Sequence, residues 1–229
     1  MADLAAIRSA IISCDRCTRL RRYCQQIALE KRAAFRHETY WGRPVPGFGD
    51  PAARILLVAL APAAHGANRT GRTFTGDGPG GSGDFLMAAM HASGLANQPF
   101  SRSIDDGLEL KDVWIAAAVR CAPPDNKPTP QEIAACHAHL VAEVSALTHL
   151  RVIVALGRIG FDATWRLLAD RGIATGRPRF GHGLTYHPPG GPVVIASYHP
   201  SRQNTNTGKL TPHMLTSVLR QAVALTAPA

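Results

Sequence analysis

Long apolar runs are missing from this chain of 229 residues. The longest, Ile55 to Ala64, falls well short of the roughly 20 residues a membrane-spanning helix needs. The N-terminal stretch leads straight into a cysteine pair with no cleavage-site pattern, so a cytoplasmic protein without a membrane partner is expected. Cysteine is scarce, at five residues, and an odd count without a leader argues against a disulfide framework. Acidic residues are outnumbered by Lys and Arg, 16 against 25, leaving a formal net charge of +9. That imbalance favours a polyanionic partner, nucleic acid ahead of a membrane surface. There is neither an internal repeat nor a low-complexity linker. With 45% hydrophobic residues the chain can bury one full core, and a single domain over residues 1–229 is expected. No Walker A loop or G-x-G-x-x-G fingerprint follows a strand, which leaves nucleoside triphosphatases and dehydrogenases poorly supported.

What cysteine there is has a pattern. Cys14 and Cys17 form a C-x2-C pair, and Cys121 and Cys136 a distant second pair. A C-x2-C turn brings two sulfurs to one centre, and the second pair completes a four-thiolate ligand set that suits either zinc or an iron-sulfur cluster. The bland reading is four separate small buried hydrophobes. Cys24 is left over as a spare thiol.

Four short, nearly continuous apolar runs have strand character: Ile55 to Ala61, Val113 to Val119, Val152 to Leu156 and Val193 to Tyr198. Runs of this kind mark parallel strands covered on both faces. Helices are expected between and after them: Phe85 to Ser93 capped by Asp84, Gln131 to His149 opened by Thr129-Pro130, Arg158 to Asp170 stopped by Gly172, and His213 to Leu225 opened by Thr211-Pro212. The alternation predicts a three-layer α/β/α domain with a short central parallel sheet and ligands at the strand C-terminal ends.

Three loops at those ends carry the chemistry. The first, from Leu60 to Asp77, is rich in small residues that let backbone N–H groups approach a ligand. Phe74 offers a flat face to a base and Asp77 a carboxylate beside it. The Gly78-to-Gly83 stretch that follows suits a phosphate at a helix N-terminus. The second loop, Arg120 to Pro128, holds Asn126 between prolines as a polar reader or water anchor, although Asn is an ordinary turn former. The third, Ser197 to Lys209, places His199 before a proline, fit to donate a hydrogen bond to a developing anion, with Arg202, Gln203 and Lys209 beyond it for DNA contact.

The segments Ala59-Leu60-Ala61-Pro62-Ala63-Ala64-His65-Gly66, Arg69-Thr70-Gly71-Arg72-x-Phe74-Thr75-Gly76-Asp77, Arg120-Cys121-Ala122-Pro123-Pro124-x-Asn126-x-Pro128 and His199-Pro200-Ser201-Arg202-Gln203-Asn204-Thr205-Asn206-Thr207-Gly208 together resemble the family 5 uracil-DNA glycosylases, the UDGb type. The resemblance spans nearly the whole chain. It implies a monofunctional glycosylase of the uracil-DNA glycosylase superfamily fold, with a 4Fe-4S cluster on Cys14, Cys17, Cys121 and Cys136 and damaged DNA as partner; a monomer is expected. The related enzymes end their first motif in an acidic or amide side chain that positions water, and this chain has Ala63 there. The resemblance therefore gives the water to Asp77, with Asn126 as second member and His199 as the second-motif histidine. Ala61, Ala63, Ala64, His65 and Phe74 are the expected base-binding set, and Arg69, Arg72, Lys127, Ser201, Arg202, Gln203 and Lys209 the DNA-contacting set.

A further departure is Ala117, where family 4 enzymes carry an Asn that reads the uracil edge. A pocket without that amide rejects analogues weakly, so deaminated purines such as hypoxanthine are expected as substrates beside uracil. Lysine is absent from the three loops apart from Lys127 and Lys209, both expected on phosphates, so an intact abasic product is expected. The competing readings are a non-catalytic nucleic-acid-binding protein with a structural zinc site and a metal-dependent phosphate-ester hydrolase using the glycine-rich loop.

Overall fold

The computed structural model describes residues 3–227. In chain order the elements are helices α1 (Leu4–Ile12) and α2 (Thr18–Glu30), strands β1 (Phe48–Gly49) and β2 (Ile55–Ala59), helices α3 (Ala67–Thr70) and α4 (Ser82–His91), strand β3 (Val113–Ala117), helix α5 (Pro130–Ala146), strand β4 (Val152–Leu156), helix α6 (Gly157–Asp170), strands β5 (Thr185–Tyr186) and β6 (Val193–Ser197), and helices α7 (Arg202–Asn206) and α8 (Pro212–Ala224). The sheet order is β1-β3-β2-β4-β6-β5. The middle four strands are parallel, while the two-residue edge strands β1 and β5 run antiparallel. The expected α/β/α architecture is the observed one.

Alternation along the strands divides the core. Ile55, Leu57, Val113, Ile115, Val152, Val154 and Ile195 face one side and meet Leu86, Met87 and Met90 of α4 and Leu215, Val218 and Leu219 of α8. Leu56, Val58, Trp114, Ile153 and Val194 face the other and meet Leu140 and Val144 of α5 and Phe161, Leu167 and Leu168 of α6. Register keeps each row together: Leu57 lies opposite Ile115 and Val154, and Val154 opposite Ile195. A one-residue slip would exchange the two rows. Each such side chain contributes roughly 1.5–3 kcal/mol by leaving water, which explains why these strands read so plainly in sequence.

The capping chemistry is equally local. Thr129 accepts from the Glu132 backbone and Glu132 reaches back to the Thr129 N–H, a complete capping box ahead of α5. Thr211 caps α8 by accepting from Met214 N. Asp84 does not cap α4 as expected. The helix starts earlier, with Asp84 in its first turn and Gly81 at the cap position. Helices α1 and α2, the short α3 and α7, and both edge strands add to the elements read from sequence.

Strand β2 is central because the chain passes from it to β3 on one side, then crosses back to β4 on the other. That reversal opens a crevice at the C-terminal ends of β2 and β4, where open α/β sheets bind ligands.

Candidate active site

The loops after β2 and β6 meet over this crevice. His199 follows β6 and sits against the first residue of α6: a Cβ built on Gly157 would lie 3.1 Å from the His199 Cβ, and Gly157 has φ +82°. A side chain there would meet both backbone strain and the histidine. The Phe74 ring stacks on His199, centroids 5.8 Å apart and planes at 29°. Phe74 itself has φ +54°, a conformation few non-glycine residues adopt and one that concentrates at functional sites. Burial pushes the His199 pKa down to about 4, so its imidazole is neutral at pH 7. Asn204 Nδ2 donates to the His199 carbonyl at 2.8 Å and fixes the backbone beneath it.

Asp77 closes the same loop. Its Oδ2 accepts from the backbone N–H of Gly83, in the first turn of α4, at 3.2 Å. Burial raises its pKa, while that N–H and the charges of Arg202 and Arg69 pull the other way. A Cβ on Gly66 would collide with Asp77 Oδ1, so only glycine lets the carboxylate lie against the end of the first motif. Arg202 Nη2 approaches the Asp77 carbonyl at 3.5 Å, joining the third loop to the first.

Ala61, Ala63, Ala64 and His65 are all part-exposed at the β2 end. Ala61 and Ala64 pack against the cysteine-rich cluster that contains Leu20, Cys121 and Cys136. His65 Nδ1 is 3.1 Å from the Tyr40 hydroxyl, a buried partner that sequence reasoning missed. Burial, reinforced by Arg32 and Arg69, lowers the His65 pKa. Asn126 and Lys127 stand exposed on the second loop. Asp125 and Asn126 both have left-handed φ, +54° and +57°, which Asp and Asn tolerate better than other residues. Ser201, Arg202, Gln203 and Lys209 form an open surface, with the Lys209 ammonium 4.8 Å over the Tyr198 ring.

Two arginines depart from expectation. Arg69 and Arg72 are buried at 8% and 7% exposure, and their guanidiniums turn inward. Arg69 pairs with Glu38 and donates to the Gly76 carbonyl at 2.6 Å. Arg72 donates to Ser101 Oγ at 2.9 Å and Asp106 Oδ1 at 2.7 Å. Arg72 holds the loop that carries Phe74 and Asp77 against the segment after α4, and Arg69 ties that loop to itself and to Glu38 ahead of β1, so both brace the site from behind instead of facing phosphates. Ser101 and Asp106 gave no signal in sequence because their role exists only through that packing.

Cys14, Cys17, Cys121 and Cys136 line one cavity, together with Leu20, Val119 and Ala135. The Cys17 thiol pKa is raised by burial and by Cys121 and Cys14. That of Cys136 is pushed up to about 12, by burial and by Cys121 and Cys17. Each pair therefore feels the other. Among the described residues no group of three or more His, Cys, Asp or Glu is gathered tightly enough to hold a metal ion. The cavity walls are tied across: Arg19 pairs with Glu132 at 2.7 Å, Arg16 Nη1 donates to the Ala135 carbonyl at 3.3 Å, and the Arg120 N–H points to Cys136 Sγ at 3.2 Å. Cys24 lies outside that lining, buried, with its thiol toward the Ala122 carbonyl at 3.6 Å. No helix among the described residues is long and apolar enough to cross a membrane.

Comparison with known proteins finds relatives along nearly the whole chain. Residues 46–222 match the family model described as the Uracil DNA glycosylase superfamily. The type-5 uracil-DNA glycosylase of Thermus thermophilus is 51% identical over 223 residues, 97% of this chain and 98% of that protein. That of Mycobacterium tuberculosis is 48% identical over 97% of this chain and 82% of its own length. That of Pyrobaculum aerophilum is 45% identical over 93% of this chain and 89% of its own.

Proposed function

The chain belongs to the Uracil DNA glycosylase superfamily, with type-5 relatives along nearly its whole length, and we propose a division of labour for its site. The protein is a uracil-DNA glycosylase, a hydrolase of N-glycosyl bonds that serves base excision repair. The bond it cleaves is shielded by stacking in duplex DNA, so the nucleotide must rotate into a pocket. Phe74 stacks on the extruded base beside Ala61, Ala63, Ala64 and His65. Bond breaking leaves negative charge on the base and positive charge on the sugar. Neutral His199 donates a hydrogen bond to the base as it departs. Asp77, with Asn126 as second member, holds water at the sugar. Lys127, Ser201, Arg202, Gln203 and Lys209 take phosphates, and no lysine forms a covalent adduct, so the product is an intact abasic site.

The observation that carries this reading is the stack of Phe74 on a neutral His199 over the switch point, with the Asp77 carboxylate on the same loop. A base face, an anion stabiliser and a carboxylate are the three groups that N-glycosidic hydrolysis requires. The Ala117 position, which offers no amide to read the uracil edge, extends the range to deaminated purines such as hypoxanthine.

The donor set of the cysteine cavity fits a 4Fe-4S cluster: four soft sulfur donors, two from the N-terminal segment and two from the middle of the chain, with a backbone N–H already directed at one sulfur. Cys14, Cys17, Cys121 and Cys136 would hold it. Such a cluster supplies a structural cross-link between the N-terminal helices and α5, and takes no part in bond cleavage. The chain acts as a single domain over residues 1–229, as a monomer in the cytoplasm.

The test is an oligonucleotide series bearing uracil, hypoxanthine, xanthine or an etheno adduct, in chelator and with and without alkali. Excision of uracil and hypoxanthine, with strand breaks only after alkali, is the expected result. Cleavage without alkali or dependence on added divalent metal would overturn the monofunctional mechanism, and no excision at all would leave the binding-protein reading.

A further inference from the structure

Residues 1–45 lie outside the matched superfamily segment 46–222. They carry nine Lys and Arg against four Asp and Glu, so +5 of the chain's +9 sits there. Between α1, α2 and the Trp41–Pro44 segment runs an open groove lined by Arg21, Arg22, Arg43, Gln25 and the hydroxyls of Ser13 and Thr18, with Asp15 its only carboxylate. Arg22 and Arg43 are exposed. Among the described residues, none of the three arginines has a carboxylate within 4.0 Å, whereas eight arginines elsewhere do. Thr18 opens α2, whose N-terminus has no side-chain cap and no acidic residue in its first turn. The positive end of that helix dipole therefore adds to the arginines.

The groove is rigidly placed with respect to the site. Arg21 Nη1 donates to the Gly42 carbonyl at 3.2 Å, and Trp41 N and Gly42 N donate to the carbonyls of Arg69 and Asn68 at 2.8 and 3.0 Å. One wall is thus bonded to α3, in the loop that carries Phe74 and Asp77.

We propose that this groove is a second DNA-binding track that takes a run of backbone phosphates flanking the damaged nucleotide. It rests on the glycosylase reading for its ligand, and it adds residues that neither the catalytic loops nor the third-loop surface supplies. A concave, unpaired arginine surface suits a continuous polyanion better than a single ion, because the charges are spread along its length. An acidic protein segment is the competing occupant.

The experiment compares the wild-type chain with the double variant Arg22→Glu/Arg43→Glu, and with Arg166→Glu/Arg220→Glu as an equal charge change on other faces. Affinity for a duplex carrying a non-cleavable abasic analogue is measured across a salt series, and single-turnover excision at saturating enzyme beside it. Losing two phosphate contacts lowers the log–log salt slope by about 2. The expected result is that loss in the groove variant alone, with excision at saturation unchanged. A slope equal to wild type, or one matched by the control variant, overturns the proposal and leaves the groove to an acidic protein or to solvent. Should the wild-type chain excise no uracil, the function reading fails, while the salt slopes still report on the groove.

Discussion

The Phe74 ring covers the His199 imidazole at a centroid distance of 5.8 Å, so the residue expected to stack on the base also shields the residue expected to stabilise it. Burial is the cause of the histidine's depressed pKa, and Phe74 is part of that burial. Phe74→Ala should therefore raise the His199 pKa from about 4 towards the ordinary imidazole value, read by NMR titration of the ring. A histidine that stays near its wild-type value would mean that other walls of the crevice bury it.

His199→Ala should slow uracil excision on the order of 100-fold, about 3 kcal/mol, as for a lost oxyanion donor, with little change in binding to abasic DNA. Bases that leave easily should be affected less. Equal slowing of every base, or a change in affinity alone, would assign His199 to positioning. The same residue also sets an acid limit on stability. Its folded pKa of about 4 lies below the unfolded value, so between roughly pH 6.5 and 4 the unfolded chain binds the proton and the folded one does not. Stability falls as pH drops through that window and is level above it. His139, also buried and lowered to about 4, adds to the same loss. His199→Gln should flatten part of the slope in a series of thermal melts against pH.

Asp77→Asn should lower single-turnover excision while DNA binding persists, because it removes charge at the sugar and no phosphate contact. Burial raises the Asp77 pKa, so the acid limb of the pH–rate profile should lie above the ordinary carboxylate range. With His199 neutral down to about 4, that limb belongs to Asp77 and should vanish in the variant. An unchanged limb would move the water to another group.

The strands were legible because both their faces are buried, which forces nearly unbroken apolar runs such as Ile55–Ala59. The positions of His199, just past the end of β6, and of Phe74, on the long loop after β2, were legible from the motifs that carry them, whereas the stack between the two rings exists only in the fold. Arg69 and Arg72 were misread, since a basic residue in a DNA-binding loop looks the same in sequence whether its partner is a phosphate or Glu38 and Asp106. The Arg22 and Arg43 groove was invisible for the opposite reason. Its walls come from α1, α2 and a loop that only folding brings side by side.

The cavity shared by four cysteines leads to a paired substitution. Cys17→Ser should lose iron, together with the visible absorption that zinc thiolates lack, and should melt at lower temperature because the N-terminal helices come untied from α5. Cys24→Ser should keep its iron, since Cys24 lies outside the cavity lining. Iron loss in the Cys24 variant, or a colourless wild-type protein rich in zinc, would overturn the assignment.

Behind that cavity Arg120 and Glu143 form the most deeply buried ion pair of the fold, 2.6 Å apart with side chains only 1% and 2% exposed. Glu143 Oε1 also accepts from the Gly47 N–H at 2.8 Å. Only Arg120 Nη2 reaches the carboxylate, and Nε and Nη1 have no hydrogen-bond partner among the described residues, so Glu143 alone balances the guanidinium. Glu143→Gln preserves shape and the amide acceptor but leaves the cation uncompensated, a change that typically costs about 3–5 kcal/mol. At this chain length that corresponds to a melting temperature lower by on the order of 10 °C. Replacing both partners, as in Arg120→Met/Glu143→Leu, should recover much of the loss, because burying two apolar groups avoids the desolvation that the pair must offset. If the single variant melts within a degree or two of wild type, water reaches this pair. If the double variant is the less stable of the two, the pair holds the Val45–Gly47 backbone in place and does more than cancel charge.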